Sequence, residues 1–438
     1  MDNYTKLLIE SKLFYPGSVK GTFCLLPKGN KIWEFIKNIL DNEFEKKGIE
    51  NVVFPTLISK KLFEKEKKHI SGFEPEFFSI EEKKKSSIVL RPTSEVTFYN
   101  LLKKNIKSYK ELPILYNQWG SVFRKELNIS PFFRNTEFLW QEGHTIHNTK
   151  EEAINFTKNI LNIYKNYAEK ILLLAVLSGK KSEKEKFSGA LESYTIECLL
   201  PDGQCLQLAT SHYFGNFFCK AMGVNFRNEF NKLKNPYSTS WGTSTRAIGA
   251  IVKNHSDNLG LILPFDISPI QIAFIIIKKK KEIFDYYVNI NSKISSFYRC
   301  CLYNKEKQNY FNIFQADKEG CPIKILIGEK ELKGKFITLS RRNVKKKKEI
   351  FEENILKELI IEKNIFQEEV FFELLKKIKK GGLFLIPFCN NINCEMEIKN
   401  KIKSYSIRCI NENKYKEMKK CIFCEKNTNH SAYLGRSY

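Results

Sequence analysis

Val122–His147 reads VFRKELNISPFFRNTEFLWQEGHTIH, and Ser240–Pro264 reads SWGTSTRAIGAIVKNHSDNLGLILP. The first stretch carries Arg124 and Arg134 on either side of a loop, then a strand-like run Glu137–Trp140 that leads into Gln141, Glu142 and His144. The second delivers Arg246 where a Gly/Ser/Thr-rich turn meets a helix of small residues. Arginine presents a planar fork of fixed donors suited to phosphate oxygens. Three arginines without a glycine-rich phosphate loop imply a nucleotide held by side chains.

The chain has 438 residues, room for two or three domains that each bury a core. It carries 73 Lys+Arg against 49 Asp+Glu, a formal charge of +24. Such an excess attracts a polyanion, nucleic acid first. The abundance of Lys, Asn, Ile and Phe also fits an AT-rich coding bias, in which lysine faces are only solvated surface. Residues 1–20 lack a signal-peptide layout, and no apolar run reaches transmembrane length. The expectation is a cytoplasmic protein with no membrane segment, whose twelve cysteines serve as free thiols or metal ligands.

Apolar spacing at Ile32, Trp33, Ile36, Ile39, Leu40 and Phe44 predicts a helix over 30–47, with Gly48 as its stop. Val52–Pro55 reads as a strand, as do 86–100 and 114–126. Thr149-Lys-Glu-Glu152 is a capping box that opens a helix with apolar positions Ile160, Leu161, Tyr164 and Ala168. Residues 194–200 and 204–209 form a hairpin pattern around Pro201-Asp202-Gly203. From Ile270 to about 370 strands and helices alternate, with basic clusters at Lys278–Lys281 and Arg341–Lys348. The remainder, 371–438, holds five of the twelve cysteines.

These motifs, taken in order, resemble class II aminoacyl-tRNA synthetases, and within them prolyl-tRNA synthetases of the archaeal and eukaryote-like type. Val19-Lys-Gly-Thr22, Pro27-Lys-Gly29 and Phe54-Pro55 resemble the first class-defining motif. Leu90-Arg-Pro-Thr-Ser-Glu95 resembles the loop that reads the amino acid, although Thr93-Ser94-Glu95 alone is equally a helix N-terminus. Arg124–His144 and Trp241–Pro264 resemble the second and third motifs. Glu183-Lys-Glu-Lys-Phe187, Tyr194-Thr-Ile-Glu197, Gln207-Leu-Ala-Thr-Ser-His212 and the ending Gly435-Arg-Ser-Tyr438 are further matches.

The resemblance implies a mixed α/β (α+β) architecture: an antiparallel-sheet catalytic domain over 1–265, an α/β anticodon-binding domain over 266–370 and a small zinc-binding α/β domain over 371–438. It implies a homodimer, since Phe54-Pro55 lies in the motif associated with that interface. It also implies proline–tRNA ligase activity: ATP and L-proline give prolyl-adenylate, and the prolyl group passes to tRNA(Pro), with Mg²⁺ bridging phosphates. Arg124 and Arg246 are the implied catalytic residues. ATP would be bound by Arg124, Glu126, Arg134, Asn135, Gln207, Thr210, Ser244 and Arg246. Proline would meet Thr93, Glu95, Arg124, Trp140, Glu142, His144, His212 and Gly242. Arg341, Arg342 and Lys324 would contact tRNA.

Three departures stand out. Lys125 replaces the family's usual tryptophan. Asn135-Thr136 replaces a Thr-Arg pair, which leaves more phosphate work to Arg134 and Arg246. Lys324 stands where arginine is common. With no large insertion between the second and third motifs, no bacterial-type editing domain is expected.

Cys389-x4-Cys394 and Cys421-x2-Cys424 have the spacing of a structural tetrahedral zinc site, with four packed thiols as the alternative. Cys409 belongs to neither pair and reads as core. The site lies far along the chain from the catalytic motifs, so chelation is expected to loosen 371–438 before it affects chemistry. Two other functions stay open from sequence: a class II enzyme for another small amino acid, or a paralog that binds ATP and tRNA without aminoacylation.

Overall fold

The computed structural model describes residues 2–62, 77–81, 87–304, 309–344, 347–378 and 382–438. Its centre is a ten-stranded sheet. In chain order, the elements that build the site are α1 (Pro27–Glu45), β1 (Glu50–Asn51), β2 (Ser87–Leu90), α2 (Glu95–Asn105), β3 (Ile114–Phe123), β4 (Glu137–His147), α3 (Lys150–Asn166), β5 (Val176–Lys180), β6 (Glu192–Leu199), β7 (Gln204–Gly215), β8 (Tyr237–Ser244) and α4 (Arg246–His255).

A second unit follows: β9 (Ile272–Ile276), α5 (Lys281–Ile294), β10 (Cys300–Tyr303), α6 (Asn309–Lys318), β11 (Ile323–Ile327), β12 (Phe336–Arg341), β13 (Lys347–Phe351) and α7 (Ile355–Lys377). The last stretch adds β14 (Leu383–Pro387), α8 (Ile392–Lys401), β15 (Tyr405–Asn411) and β16 (Ser431–Ser437).

The central sheet runs β14-β16-β15-β5-β6-β7-β8-β4-β3-β1. Its pairs are antiparallel except that β1 lies parallel to β3, and that β16 also meets β7 in parallel at Gln204↔Arg436 and Cys205↔Ser437. The strands of the C-terminal stretch therefore extend the catalytic sheet. The second unit is a five-stranded sheet, β10-β9-β11-β12-β13, with its own core of Ile272, Phe274, Ile323, Ile325, Ile337 and Phe366.

One face of the central sheet packs on helices. The capping box at Thr149 and Glu152 is formed, and α3 buries Ala153, Ile160, Leu161 and Tyr164. Trp241 and Ser211 face this layer: Trp241 meets Phe156 and Phe44 with ring centroids 5.4 and 6.2 Å apart, and Ser211 Oγ donates to the Thr157 carbonyl at 2.9 Å. A Cβ at residue 143 would lie 2.1 Å from the Trp241 ring, so Gly143 is what lets the indole reach the core.

Helix α1 starts three residues earlier than its spacing predicts, at Pro27, where the missing N–H of proline costs nothing. It ends before Gly48, whose φ of 73° closes the turn. The hairpin at Pro201–Gly203 is as expected. Two strand expectations fail. Within 86–100 only Ser87–Leu90 is strand, and Glu95–Asn105 is helix, because Val96, Phe98, Tyr99 and Leu102 share one buried helical face; residue 86 lies outside the described residues. Near Val52–Pro55, only Glu50–Asn51 pairs in the sheet, because Val52 makes a single backbone bond to Asn117 and the Phe54 N–H turns inward to Gln118 Oε1 at 2.6 Å. Of the Arg341–Lys348 cluster, residues 345 and 346 lie outside the described residues.

Candidate active site

The face opposite α3 holds a cleft, and strand alternation fills it. Side chains on successive strands alternate between faces, so cross-strand partners line up in rows. Gln118 pairs with Glu142, Glu142 with Gly242, and Gly242 with Thr210. The next row places His144 against Ser240, Ser240 against His212, and His212 against Ser193. At the centre of the first row a Cβ on residue 242 would lie 2.8 Å from the Trp140 indole nitrogen, so glycine keeps the floor open.

The cleft is lined by Glu95, Arg124, Glu126, Arg134, Asn135, Trp140, Glu142, His144, Gln207, Thr210, His212, Gly242, Ser244 and Arg246. All the residues expected at the ATP and amino-acid sites are thus brought together except Thr93. That residue sits just behind, donating its hydroxyl to Glu95 and lying 3.4 Å from Glu142 Oε2.

Arg124 leaves the end of β3 and is held in place from two sides. Its Nε and Nη2 reach the Pro92 carbonyl at 3.3 and 3.2 Å, and its guanidinium lies over the Trp140 and Phe138 rings at 5.0 and 5.5 Å. Burial lowers its pKa, against the charges of Glu95, Glu142 and Glu126. Arg246 opens α4, where Nε donates to the Phe133 carbonyl at 2.9 Å and Nη1 to the Gln207 carbonyl at 3.3 Å. Burial, with the neighbouring charges of Arg124 and Arg134, brings it down to about 10. Arg134 Nη2 donates to the Tyr438 carbonyl at 2.7 Å, and the Tyr438 hydroxyl is 2.7 Å from Ser130 Oγ. Three guanidiniums in one buried cleft repel one another, and an anion between them relieves that repulsion. Beside them Asn135 is 5 % exposed, and its Oδ1 has no hydrogen-bond partner.

The other end of the cleft is acidic. Glu142 accepts from the Ser94 N–H at 3.0 Å and from Gln118 Nε2 at 2.6 Å. Burial opposes its ionisation, but His144 and Ser94 outweigh this and hold its pKa below the usual carboxylate range. His144 lies 3.4 Å from Glu142 and stacks on Phe98 at 5.3 Å. Its pKa is raised, with burial overcome by Glu142 and Glu95. His212 behaves in the opposite way: burial, helped by the Lys181 ammonium, pushes it down to about 3, so it is a neutral imidazole at pH 7. Its Nδ1 is 2.8 Å from Ser193 Oγ.

Sequence reasoning gave no role to several residues here. Gln118 and Arg91 brace the acidic end: Arg91 Nη1 reaches the Phe54 carbonyl at 2.7 Å and Gln118 Oε1 at 3.1 Å. Lys181, Glu185, Phe187 and Ser193 form a cleft wall. Gln118 was within reach, since it occupies an expected strand with the same parity as the site residues; the wall residues carry no periodic signal.

The residues expected to contact tRNA are placed otherwise. Lys324 is 5 % exposed and ion-paired with Asp317. The Arg342 side chain is 1 % exposed, with Nη1 and Nη2 on the Asp257 carboxylate at 2.9 and 2.6 Å and Nε on the Asp317 carbonyl at 2.8 Å. Arg341 pairs with Glu362 and Glu369. Lys324 and Arg342 thus have acidic partners inside the fold, Asp317 and Asp257. Arg342 in particular clamps the second unit to the residue just past α4. Arg342→Ala is expected to lower stability by about 2 kcal/mol, below the usual 3–5 for a fully buried pair because Asp257 is 37 % exposed. Thermal melting checks this; a melting temperature equal to wild type would mean that the clamp contributes nothing.

The four C-terminal thiols also converge: Cys389, Cys394, Cys421 and Cys424 place their Sγ atoms within 4.8 Å of one another. Cys389 is 3.5 Å from Cys394 and 3.6 Å from Cys424. Cys409 is buried at 0 % on β15, outside this group.

Three family descriptions match the chain: the tRNA synthetase class II core domain (G, H, P, S and T) at 78–255, the anticodon binding domain at 271–362, and the prolyl-tRNA synthetase C-terminal domain at 371–438. The proline–tRNA ligase of Mycoplasma mycoides subsp. mycoides is 43 % identical over 458 residues, covering 99 % of this chain and 96 % of that protein. That of Borreliella burgdorferi strain B31 is 38 % identical over 486 residues, covering 100 % and 98 %. Among solved structures, the prolyl-tRNA synthetase of Cryptosporidium parvum complexed with L-proline and AMP superposes with a TM-score of 0.93 at 28 % identity, covering 99 % of this chain and 94 % of that one. With all three domain types in order and near-complete coverage, the chain belongs to the class II prolyl-tRNA synthetases.

Proposed function

We propose that this chain is a proline–tRNA ligase that works as follows. One observation carries the reading: Arg124, Arg134 and Arg246 line one end of a single cleft whose other end is set by Glu95, Glu142 and His212. The cationic end takes the phosphates of ATP. The acidic end takes the secondary ammonium of L-proline, which Glu95 and Glu142 neutralise. The proline carboxylate, already ionised at neutral pH, attacks the α-phosphorus; the new O–P bond forms as the bond to pyrophosphate breaks, and no base is needed. Arg124 bridges the two ends and stabilises charge that builds on the α-phosphate. Arg134 and Arg246 hold the outer phosphates, while Glu126, Asn135, Gln207, Thr210 and Ser244 face the nucleoside. Thr93, Trp140, His144 and Gly242 shape the ring pocket. The 3′-hydroxyl at the end of tRNA(Pro) then attacks the adenylate carbonyl, and AMP leaves.

Of the residues that face the nucleotide, Glu126 and Gln207 carry side-chain oxygens, the ligand type that suits Mg²⁺. Bound there, the ion would draw off phosphate charge. The cysteine quartet would hold one structural Zn²⁺. We assign 1–265 to catalysis, 266–370 to anticodon binding and 371–438 to the zinc-bearing domain. Arg341, Arg342 and Lys324 are the proposed RNA contacts there, each paired with a carboxylate in the free protein. The archaeal and eukaryote-like subtype is supported by the short path from β4 to β8, which is taken up by α3, strands of the central sheet, the short helix Phe217–Met222 and a small hairpin, Phe226–Arg227 with Leu233–Lys234. A homodimer is supported by Val53, 91 % exposed beside the buried Phe54. A reducing cytoplasmic setting suits twelve free cysteines, and among the described residues no helix is long and apolar enough to cross a membrane.

The test is ATP–pyrophosphate exchange without tRNA, run with each amino acid in turn. Exchange should depend on proline. Strong exchange with another amino acid and none with proline would overturn the assignment.

A further inference from the structure

The wall formed by Lys181, Glu185 and Phe187 closes the His212 side of the cleft. Phe187 stacks on His212 with centroids 4.8 Å apart, and its N–H donates at 2.9 Å to Ser193 Oγ, the same atom that meets His212. The wall is short and irregular, and elements far along the chain hold it from behind. Lys181 Nζ reaches Glu197 Oε1 at 2.8 Å, where Thr195 Oγ1 also donates at 2.7 Å. The other oxygen, Glu197 Oε2, accepts from Arg408 Nη2 at 2.6 Å and Nε at 3.1 Å. Arg408 lies on β15, and its remaining arm, Nη1, donates to Ser437 Oγ at 2.7 Å. A second tie runs beside the first: Ser182 Oγ donates at 2.6 Å to Glu395 on α8, immediately after Cys394.

We propose that Arg408 and Glu395 are positioning residues for the amino-acid pocket, so that the C-terminal domain fixes the Lys181–Phe187 wall against which the substrate ring packs. The physical basis is charge balance and geometry. Glu197 and Lys181 are buried, at 2 % and 5 % exposure. A buried carboxylate needs its partners, and with Arg408 gone Glu197 would draw Lys181 and its segment to a new position. Arginine suits the site because its planar fork engages Glu197 with two donors while a third arm holds Ser437. At the phosphate end Arg124 and Arg246 are anchored separately, by the Pro92, Phe133 and Gln207 carbonyls, and only Arg134 reaches the C-terminal stretch, through Tyr438. The effect should therefore fall chiefly on proline. This inference rests on reading the His212 end as the proline subsite.

Arg408→Met keeps the volume of the side chain and removes its charge. In tRNA-free exchange, KM for proline should rise by about tenfold, while KM for ATP stays within about twofold of wild type. Arg408→Lys should recover part of the loss. Ser182→Ala cuts the second tie without touching any charge, and should raise KM for proline by about threefold with zinc content and circular dichroism unchanged. If KM for proline stays at the wild-type value in both Arg408→Met and Ser182→Ala, or if KM for proline and ATP rise together, the positioning role is wrong. A wild-type enzyme with no proline-dependent exchange would instead sink the subsite reading itself.

Discussion

Arg124→Ala lowers kcat for proline-dependent ATP–pyrophosphate exchange by about a hundredfold or more. In the proposed reading the guanidinium meets both reactants. Its electrostatic neighbours are Glu95 and Glu142 on one side, the proposed amino-acid end, and Arg246 on the other, the proposed phosphate end. It is also held before substrate arrives, by the Pro92 carbonyl and the Trp140 and Phe138 rings. A group fixed in advance stabilises developing charge without reorganising, so its loss appears in kcat more than in KM. Arg124→Lys separates charge from shape: lysine restores a cation but cannot span two oxygens from a fixed plane, so its rate should fall between those of alanine and wild type. Rapid-mixing or steady-state exchange assays read both. A kcat for Arg124→Ala equal to wild type would mean that the α-phosphate lies elsewhere in the cleft.

Much of the site was legible because side-chain parity in a strand is set by sequence. Glu142 and His144 share a face, as do Thr210 and His212, whatever the partner strands are. Register was not legible, since no single strand shows which residue faces it, so parity could place Gln118 on the site's face but not opposite Glu142. The run 86–100 failed because β-branched and aromatic residues such as Val96, Thr97 and Phe98 suit a strand locally, while tertiary burial of Val96, Phe98, Tyr99 and Leu102 selects the helix. The helix N-terminus and the amino-acid loop then prove compatible, since Ser94 is at the N-cap while its N–H and hydroxyl go to Glu142. Basic residues were the least legible. In a chain of +24 charge nothing in the sequence shows which cations have partners, and Asp317 and Asp257 meet Lys324 and Arg342 only in the folded chain. The open choice between proline and another small amino acid was settled by full-length similarity to proline–tRNA ligases, not by any one residue.

Cys421→Ser/Cys424→Ser should abolish the binding of one Zn²⁺ per chain, and with it the order of the C-terminal domain. Four thiolates around zinc at about 2.3 Å stand about 3.8 Å from one another. The observed 3.5 and 3.6 Å separations fit that spacing and are far from the roughly 2.05 Å of a disulfide. Thiols merely packed together would have no reason to converge from the loop after β14, from α8 and from the turn at Cys421–Cys424. The apolar core beside them is small, with Ile386, Phe388, Ile398, Ile407 and Leu434 as its main members. Zinc thiolate sites contribute about 10–16 kcal/mol of apparent binding energy, enough to decide whether such a unit folds. The consequence reaches further than distance along the chain suggests. Because β15 and β16 are strands of the catalytic sheet and Tyr438 touches Arg134, stripping the metal should reduce proline-dependent exchange together with C-terminal order, not after it. Elemental analysis of wild type and variant, with limited proteolysis and exchange assays along a chelator titration, tests both parts. Stoichiometric zinc persisting in the double variant would exclude this site, and full exchange activity after the C-terminal domain has become protease-sensitive would show that the sheet holds its catalytic shape without those strands.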